Sequence, residues 1–242
     1  MFDYFSKIGI YHNLNQDYAF TQGNIGVISD GCSSVSNSDV GARILALQHA
    51  NHLSIEDTLR NSIYTINSLG LNTQALFATL GCIEVNSQNC YVTLWGDGVI
   101  IFKFANKLSI FRIQHLSAPY YPLYSMYKEY DNTYRKEFGP PITMIIGEES
   151  QSTVPLINKY QPSFLTGLPI EDLEYVLIGT DGCMSFEEDI LQELCDFKSI
   201  NGQFVRRRLQ SLFKKQWKNK LHHDDLTILG WANDSLCKQS AS

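Results

Sequence analysis

Apolar positions recur along this chain in two rhythms. Over residues 36–52 the rhythm is helical: Val40, Ile44 and Leu47 share a face, and Ser38 or Asp39 can cap its start. Residues 55–69 predict a second helix, with Ile63, Ile66 and Leu69 near its end and Gly70 as the stop. Residues 7–29 predict two short strands around a polar turn. From 75 to 113 the character is β, with strands at Phe77–Val85, Tyr91–Trp95, Val99–Phe104 and Leu108–Ile113. The intervening Asn86-Ser87-Gln88-Asn89, Gly96-Asp97-Gly98 and Ala105-Asn106-Lys107 read as hairpin connections, hence an antiparallel meander. Residues 114–141 are irregular and rich in Tyr and Pro, either a flap over a site or a packed surface loop. Strands are expected again at 142–147 and 175–181, helices at 186–197 and 202–219, and a last strand at 225–232.

Helix pairs, a long run of strands, then helices and a closing strand do not alternate as βαβ units do. They predict an α+β layered sandwich. With no repeat and no linker, residues 1–235 are expected to form a single domain, followed by a flexible tail at 236–242.

Three apolar strands end on the same dipeptide: Asp30-Gly31, Asp97-Gly98 and Asp181-Gly182. A fourth acidic step, Asp224-Asp225, immediately precedes the strand Leu226–Trp231. Asp-Gly is by itself a favoured turn dipeptide, and Asp97-Gly98 is the most turn-like of the three. Carboxylates at strand ends can nevertheless converge in space. Oxygen-only ligands of this kind suit hard divalent cations such as Mg²⁺ or Mn²⁺.

Composition narrows the field. Hydrophobic residues make up 44% of the 242 and charged residues 18%, which excludes a disordered chain. No apolar run reaches membrane-spanning length and no secretory leader is evident. The net charge of −6 disfavours nucleic acid as a partner. Six cysteines without a Cys-x-x-Cys pair fit free thiols in a reducing cytoplasm.

In order along the chain, Asn15-Gln16-Asp17, Val27-Ile28-Ser29-Asp30-Gly31, Ala78-Thr79, Trp95-Gly96-Asp97, Ile178-Gly179-Thr180-Asp181-Gly182 and Asp224-Asp225-Leu226-Thr227 resemble the motifs of one family. It is the metal-dependent serine/threonine protein phosphatases of the PPM (protein phosphatase 2C) type, in their bacterial form. The resemblance implies a four-layer α-β-β-α sandwich, two antiparallel sheets flanked by helix pairs. It implies two Mn²⁺ or Mg²⁺ ions, or three, and hydrolysis of phosphoserine and phosphothreonine in proteins by a water or hydroxide bridging two of them. Asp30 would bridge the two ions and the Gly31 carbonyl would complete one site. Asp181 and Asp224 would hold the other ion; Asp224 is chosen over Asp225 because the family's ligand lies three positions before the Thr. Asp17 would be a ligand or accept from water on the metals, and Asp97 with Asp181 could hold a third ion. The expected partner is a phosphorylated protein and the expected state a monomer.

The departures are specific. His12 stands where many relatives carry an Arg that grips the substrate phosphate; an imidazole can donate or carry charge but cannot form the bidentate fork. It is either that group's replacement, in a catalytic or substrate-binding role, or a surface histidine. Cys32 stands where some relatives have a His that protonates the leaving group; it is a weaker proton donor or simply a small buried residue. Gln16 replaces an acidic residue. His222 and His223 are adjacent and would point to opposite faces of a strand, which argues against joint chelation. The stretch Arg206–Lys218 is basic and amphipathic, either a core helix with a solvated face or a docking surface for an acidic partner, a phosphorylated substrate or anionic lipid. Two further functional readings stay open: a pseudophosphatase serving as a binding module, and a hydrolase of small phosphorylated metabolites.

Overall fold

The structure, a computed structural model, describes residues 1–51, 54–147, 150–215 and 224–234. In chain order, strands β1 (Phe2–Lys7), β2 (Asp17–Gln22) and β3 (Ile25–Asp30) precede helices α1 (Ser38–Asn51) and α2 (Ile55–Ser68). Strands β4 (Leu80–Val85), β5 (Asn89–Trp95), β6 (Gly98–Phe104) and β7 (Lys107–His115) follow. Helix α3 (Lys128–Phe138) leads to β8 (Ile142–Ile146), β9 (Gln151–Pro155), β10 (Phe164–Pro169) and β11 (Leu173–Gly179). Helices α4 (Glu188–Cys195) and α5 (Phe204–Lys215) and strand β12 (Leu226–Ala232) complete the chain.

Two antiparallel sheets result, one in the order β1-β12-β11-β6-β7-β8-β9 and one in the order β10-β5-β4-β3-β2. Their facing sides meet in one core. Because side chains alternate across a strand, Val27 packs toward the α1/α2 layer while Ile28 packs toward the other sheet. Likewise Leu177 faces α4 and α5, and Ile178 faces the inter-sheet core. Central strands are thus covered on both sides. β3 is buried at five consecutive positions and β12 along its length, which explains their unbroken apolar runs. The layers are helix pair, sheet, sheet, helix pair, as the resemblance implies.

Several expectations need correction. The meander does not exist as one sheet. β4 and β5 lie in the five-stranded sheet and β6 and β7 in the seven-stranded one, so Gly96-Asp97-Gly98 carries the chain between sheets. Residues 114–141 are not irregular: they hold a 3₁₀ turn at Pro122–Ser125 and the helix α3. The strand pair expected over 7–29 is the hairpin 17–30, with a separate strand at 2–7, and the edge strands β9 and β10 had no counterpart in the sequence reading. Gly70 does end α2, with a left-handed φ of 70° and its N–H donating to the Asn67 carbonyl. Residues 236–242, His222 and His223, and the basic stretch from residue 216 onward lie outside the described residues.

Candidate metal centre

The β2–β3 hairpin pairs Asp17 directly with Asp30. Ile28 faces the opposing sheet, so two residues on Asp30 does too, and its cross-strand partner Asp17 shares that side. The Asp30 backbone is pinned at both ends: its N–H donates to Thr79 Oγ1 (3.2 Å) and its carbonyl accepts from the Thr79 N–H (2.8 Å). This is the role of the Ala78-Thr79 step.

Glycine serves here by lacking a Cβ rather than by positive φ. None of Gly31, Gly98 and Gly182 is left-handed. A Cβ would stand 2.6 Å from the Ser38 carbonyl oxygen at Gly31, 2.5 Å from that of Gly179 at Gly98 and 2.0 Å from that of Asp225 at Gly182. The Gly31 contact seats Asp30 against the start of α1, and the other two each seat one acidic segment against another. Gly98 against Gly179 brings Asp97 beside the Thr180-Asp181 turn, and Gly182 against Asp225 brings Asp181 beside Asp224.

Thr180 ties the sheets together at this point. Its hydroxyl donates to Asp17 Oδ2 (2.7 Å) and accepts from the Thr227 N–H (3.0 Å). Asp17, Asp181 and Asp224 all lie within electrostatic reach of Asp30, and Asp224 within reach of Asp181. Asp97, Asp181 and Asp224 line an open cavity of about 400 Å³. Carboxyl groups from four segments remote in sequence therefore meet in one place.

The electrostatics show what such crowding costs. Burial pushes the Asp17 carboxyl up to about 7, and burial with Asp224 beside it pushes Asp181 up to about 6. Asp30 is raised well above the ordinary range, by burial first and then by Asp17 and Asp181. Asp17 Oδ1 is buried without a hydrogen-bond partner. Among the described residues, no group of three or more His, Cys, Asp or Glu side chains stands in ready-made ion-holding geometry. A divalent cation can offset the charge that such crowding makes costly, and the all-oxygen donor set with an orphaned buried oxygen fits Mg²⁺ or Mn²⁺.

The two acids of Asp224-Asp225 separate clearly. Asp225 is buried and accepts from the backbone N–H groups of Gly9 (2.7 Å) and Gln16 (2.6 Å). It positions the chain, whereas Asp224 opens onto the cavity. His12 sits between them, Nε2 3.5 Å from Asp224 Oδ1 and Nδ1 3.1 Å from Asp225 Oδ1, the latter off the line of a hydrogen bond. Burial pulls its pKa down, but the carboxylates of Asp225 and then Asp224 outweigh this and hold it above the ordinary histidine value. The two carboxylates therefore favour the cationic form of His12. The Gln16 side chain donates to Ser38 Oγ (2.7 Å), joining the hairpin to the start of α1. Cys32 contacts Ser34 Oγ at 3.2 Å.

Sequence reading missed His115. Its buried imidazole Nδ1 lies 2.5 Å from Asp97 Oδ1, its N–H donates to the same oxygen (2.9 Å), and its Nε2 is 3.4 Å from Ser163 Oγ. The β6–β7 register, Gly98 opposite Ile113, was the available signal, since it places His115 just beyond Asp97.

No family model and no curated protein matches the sequence. Solved structures do match over nearly the whole chain. The serine/threonine phosphatase Stp1 of Staphylococcus aureus is 14% identical over 96% of this chain and 94% of its own, with a TM-score of 0.60. The phosphatase PstP/Ppp of Mycobacterium tuberculosis is 14% identical over 95% and 97%, with a TM-score of 0.57. A PstP catalytic domain in complex with two manganese ions is 12% identical over 95% and 96%, again at 0.57. The chain thus has the fold of the bacterial serine/threonine phosphatases.

Proposed function

We propose that this chain is a divalent-metal-dependent phosphatase acting on phosphoserine and phosphothreonine in proteins, as a monomer in the cytoplasm. The observation that carries the reading is the convergence of Asp17, Asp30, Asp181 and Asp224 at one end of the inter-sheet junction. The manganese complex of a structural neighbour supports it, as do the free thiols of all five described cysteines. Asp30 and the Gly31 carbonyl, with Asp181 and Asp224, would hold two Mn²⁺ or Mg²⁺ ions, and Asp97 with Asp181 a third. When bound, such ions supply the positive charge that activates water and offsets phosphate charge. Asp17, fixed by Thr180, accepts a hydrogen bond from the attacking water and orients it. His12, whose cationic form its two carboxylates favour, would supply charge for the substrate phosphate where related enzymes use a guanidinium. No nucleophilic side chain is needed, because phosphoryl transfer depends chiefly on positioning and electrostatics.

A second reading, the fold as a binding module, draws on one observation: His12 and His115 engage Asp224 and Asp97, two of the carboxylates a metal would need. Hydrolysis of a phosphothreonine peptide with Mn²⁺, alongside a nucleotide and a sugar phosphate, separates the readings. Peptide turnover abolished by chelator is the expected result. Turnover insensitive to chelator, or confined to the small esters, contradicts the proposal.

A further inference from the structure

Helix α5 and the loop before it enclose a second cavity, of about 220 Å³, that shares no residue with the carboxylate cavity. Among the described residues its charged lining is Lys198, Arg207 and Arg208, with no carboxylate. In a chain of net charge −6, three cations around one small cavity are not a sample of the average surface. The Arg208 side chain is only 14% exposed. Its Nε and one Nη donate to the Glu193 carbonyl, and its ion pair with Asp196 is long, 3.7 Å, to a carboxylate 77% exposed. Such a surface pair offsets little of the cost of burying a guanidinium. Arg207 donates to the carbonyls of Ser199 and Asn201. Carbonyl oxygens hold these two forks in place without neutralising them. Preset guanidinium groups, an ammonium and the hydroxyls of Ser199 and Ser211 form the donor set that tetrahedral oxyanions select. Phe197 and Phe204, edge to face at 5.1 Å, supply an apolar wall.

We infer that this cavity is an anion site for a phosphate group, either inorganic phosphate or the phosphoryl group of a small ester. The site does not depend on the proposed activity and would exist in a catalytically silent chain.

The test uses the whole protein in chelator, where the carboxylate centre repels anions. Inorganic phosphate is titrated while backbone amide resonances are followed, with phenyl phosphate as a second arm and chloride at equal ionic strength as the control. Saturable shifts are expected at Lys198, Ser199, Arg207, Arg208 and Ser211. Arg207→Gln and Lys198→Ala, both at exposed positions, should each weaken binding by about tenfold, a difference of about 1.4 kcal/mol. Tighter binding of phenyl phosphate than of phosphate assigns the site to an ester resting on the Phe197 wall, and equal binding assigns it to the free ion. The inference is overturned by an absence of saturation, by shifts centred on Asp17 and Asp30, or by a full response to chloride. The wild-type shift map decides these outcomes even if a variant fails to fold.

Discussion

Asp17, Asp30 and Asp181 are acids whose ionisation the fold opposes, at the expense of stability. The unfolded chain releases their protons near 3.8, while the native protein holds those of Asp17 up to about 7 and of Asp181 up to about 6. For a carboxyl raised on folding, the penalty is absent below the unfolded value and grows as pH climbs toward the native one. In chelator, the melting temperature should therefore fall across that window. Asp30→Asn removes an ionisable carboxyl from the cluster and should flatten the slope, gaining at least about 1 kcal/mol at neutral pH. Calorimetric melts of both proteins across the window check this, and a wild type that gains stability relative to Asp30→Asn as pH rises would contradict it. His12 carries the opposite sign: its raised imidazole contributes stability below 6.5 and loses it as pH rises through the native value. Such a cluster, costly alone, is the trade of stability for function expected of the proposed metal centre.

At the scale of elements, three glycines close the centre by letting backbone touch backbone. Gly182→Ala would drive a Cβ to 2.0 Å from the Asp225 carbonyl, and neither turn can retreat without moving Asp181 or Asp224. Urea denaturation should register a loss of about 3 kcal/mol, against which a loss below about 1 kcal/mol would count. These positions also mark how far the sequence could be read. The strand runs ending in Asp-Gly were visible because central strands covered on both faces are continuously apolar. Why Gly follows Asp was not visible, because the reason is a backbone contact with another segment, dozens of positions away at Gly98 and Gly182. The same blindness hid the crossover at Asp97, since a hairpin and a switch between sheets use the same dipeptide. Edge strands β9 and β10 pack on few neighbours and leave little pattern; Gln151–Thr153 are all exposed. Helix α3 did leave one. Tyr127, Tyr130, Tyr134 and Phe138 follow helical spacing, but only Tyr134 is buried within the helix, so its polar residues masked the stripe.

Across the whole molecule, the sheets make the centre by meeting where β3, β11 and β12 end or begin. The five-stranded sheet supplies Asp17 and Asp30. The seven-stranded sheet supplies Asp181 and Asp224, and the passage between the two supplies Asp97. Among the described residues no helix is long and apolar enough to cross a membrane, and helices serve as outer cover for the sheets. A site assembled across an interface of layers should bind its ions only when both layers are docked, so metal affinity reports on the account as a whole. The most direct measurement is a calorimetric titration of Mn²⁺ into the wild type and into Asp30→Asn at neutral pH. Two ions per chain in the wild type, with binding lost or cut by at least about a hundredfold in the variant, is the predicted result. Equal binding by the two proteins, or none by either, would contradict the claim that these acids form one metal centre.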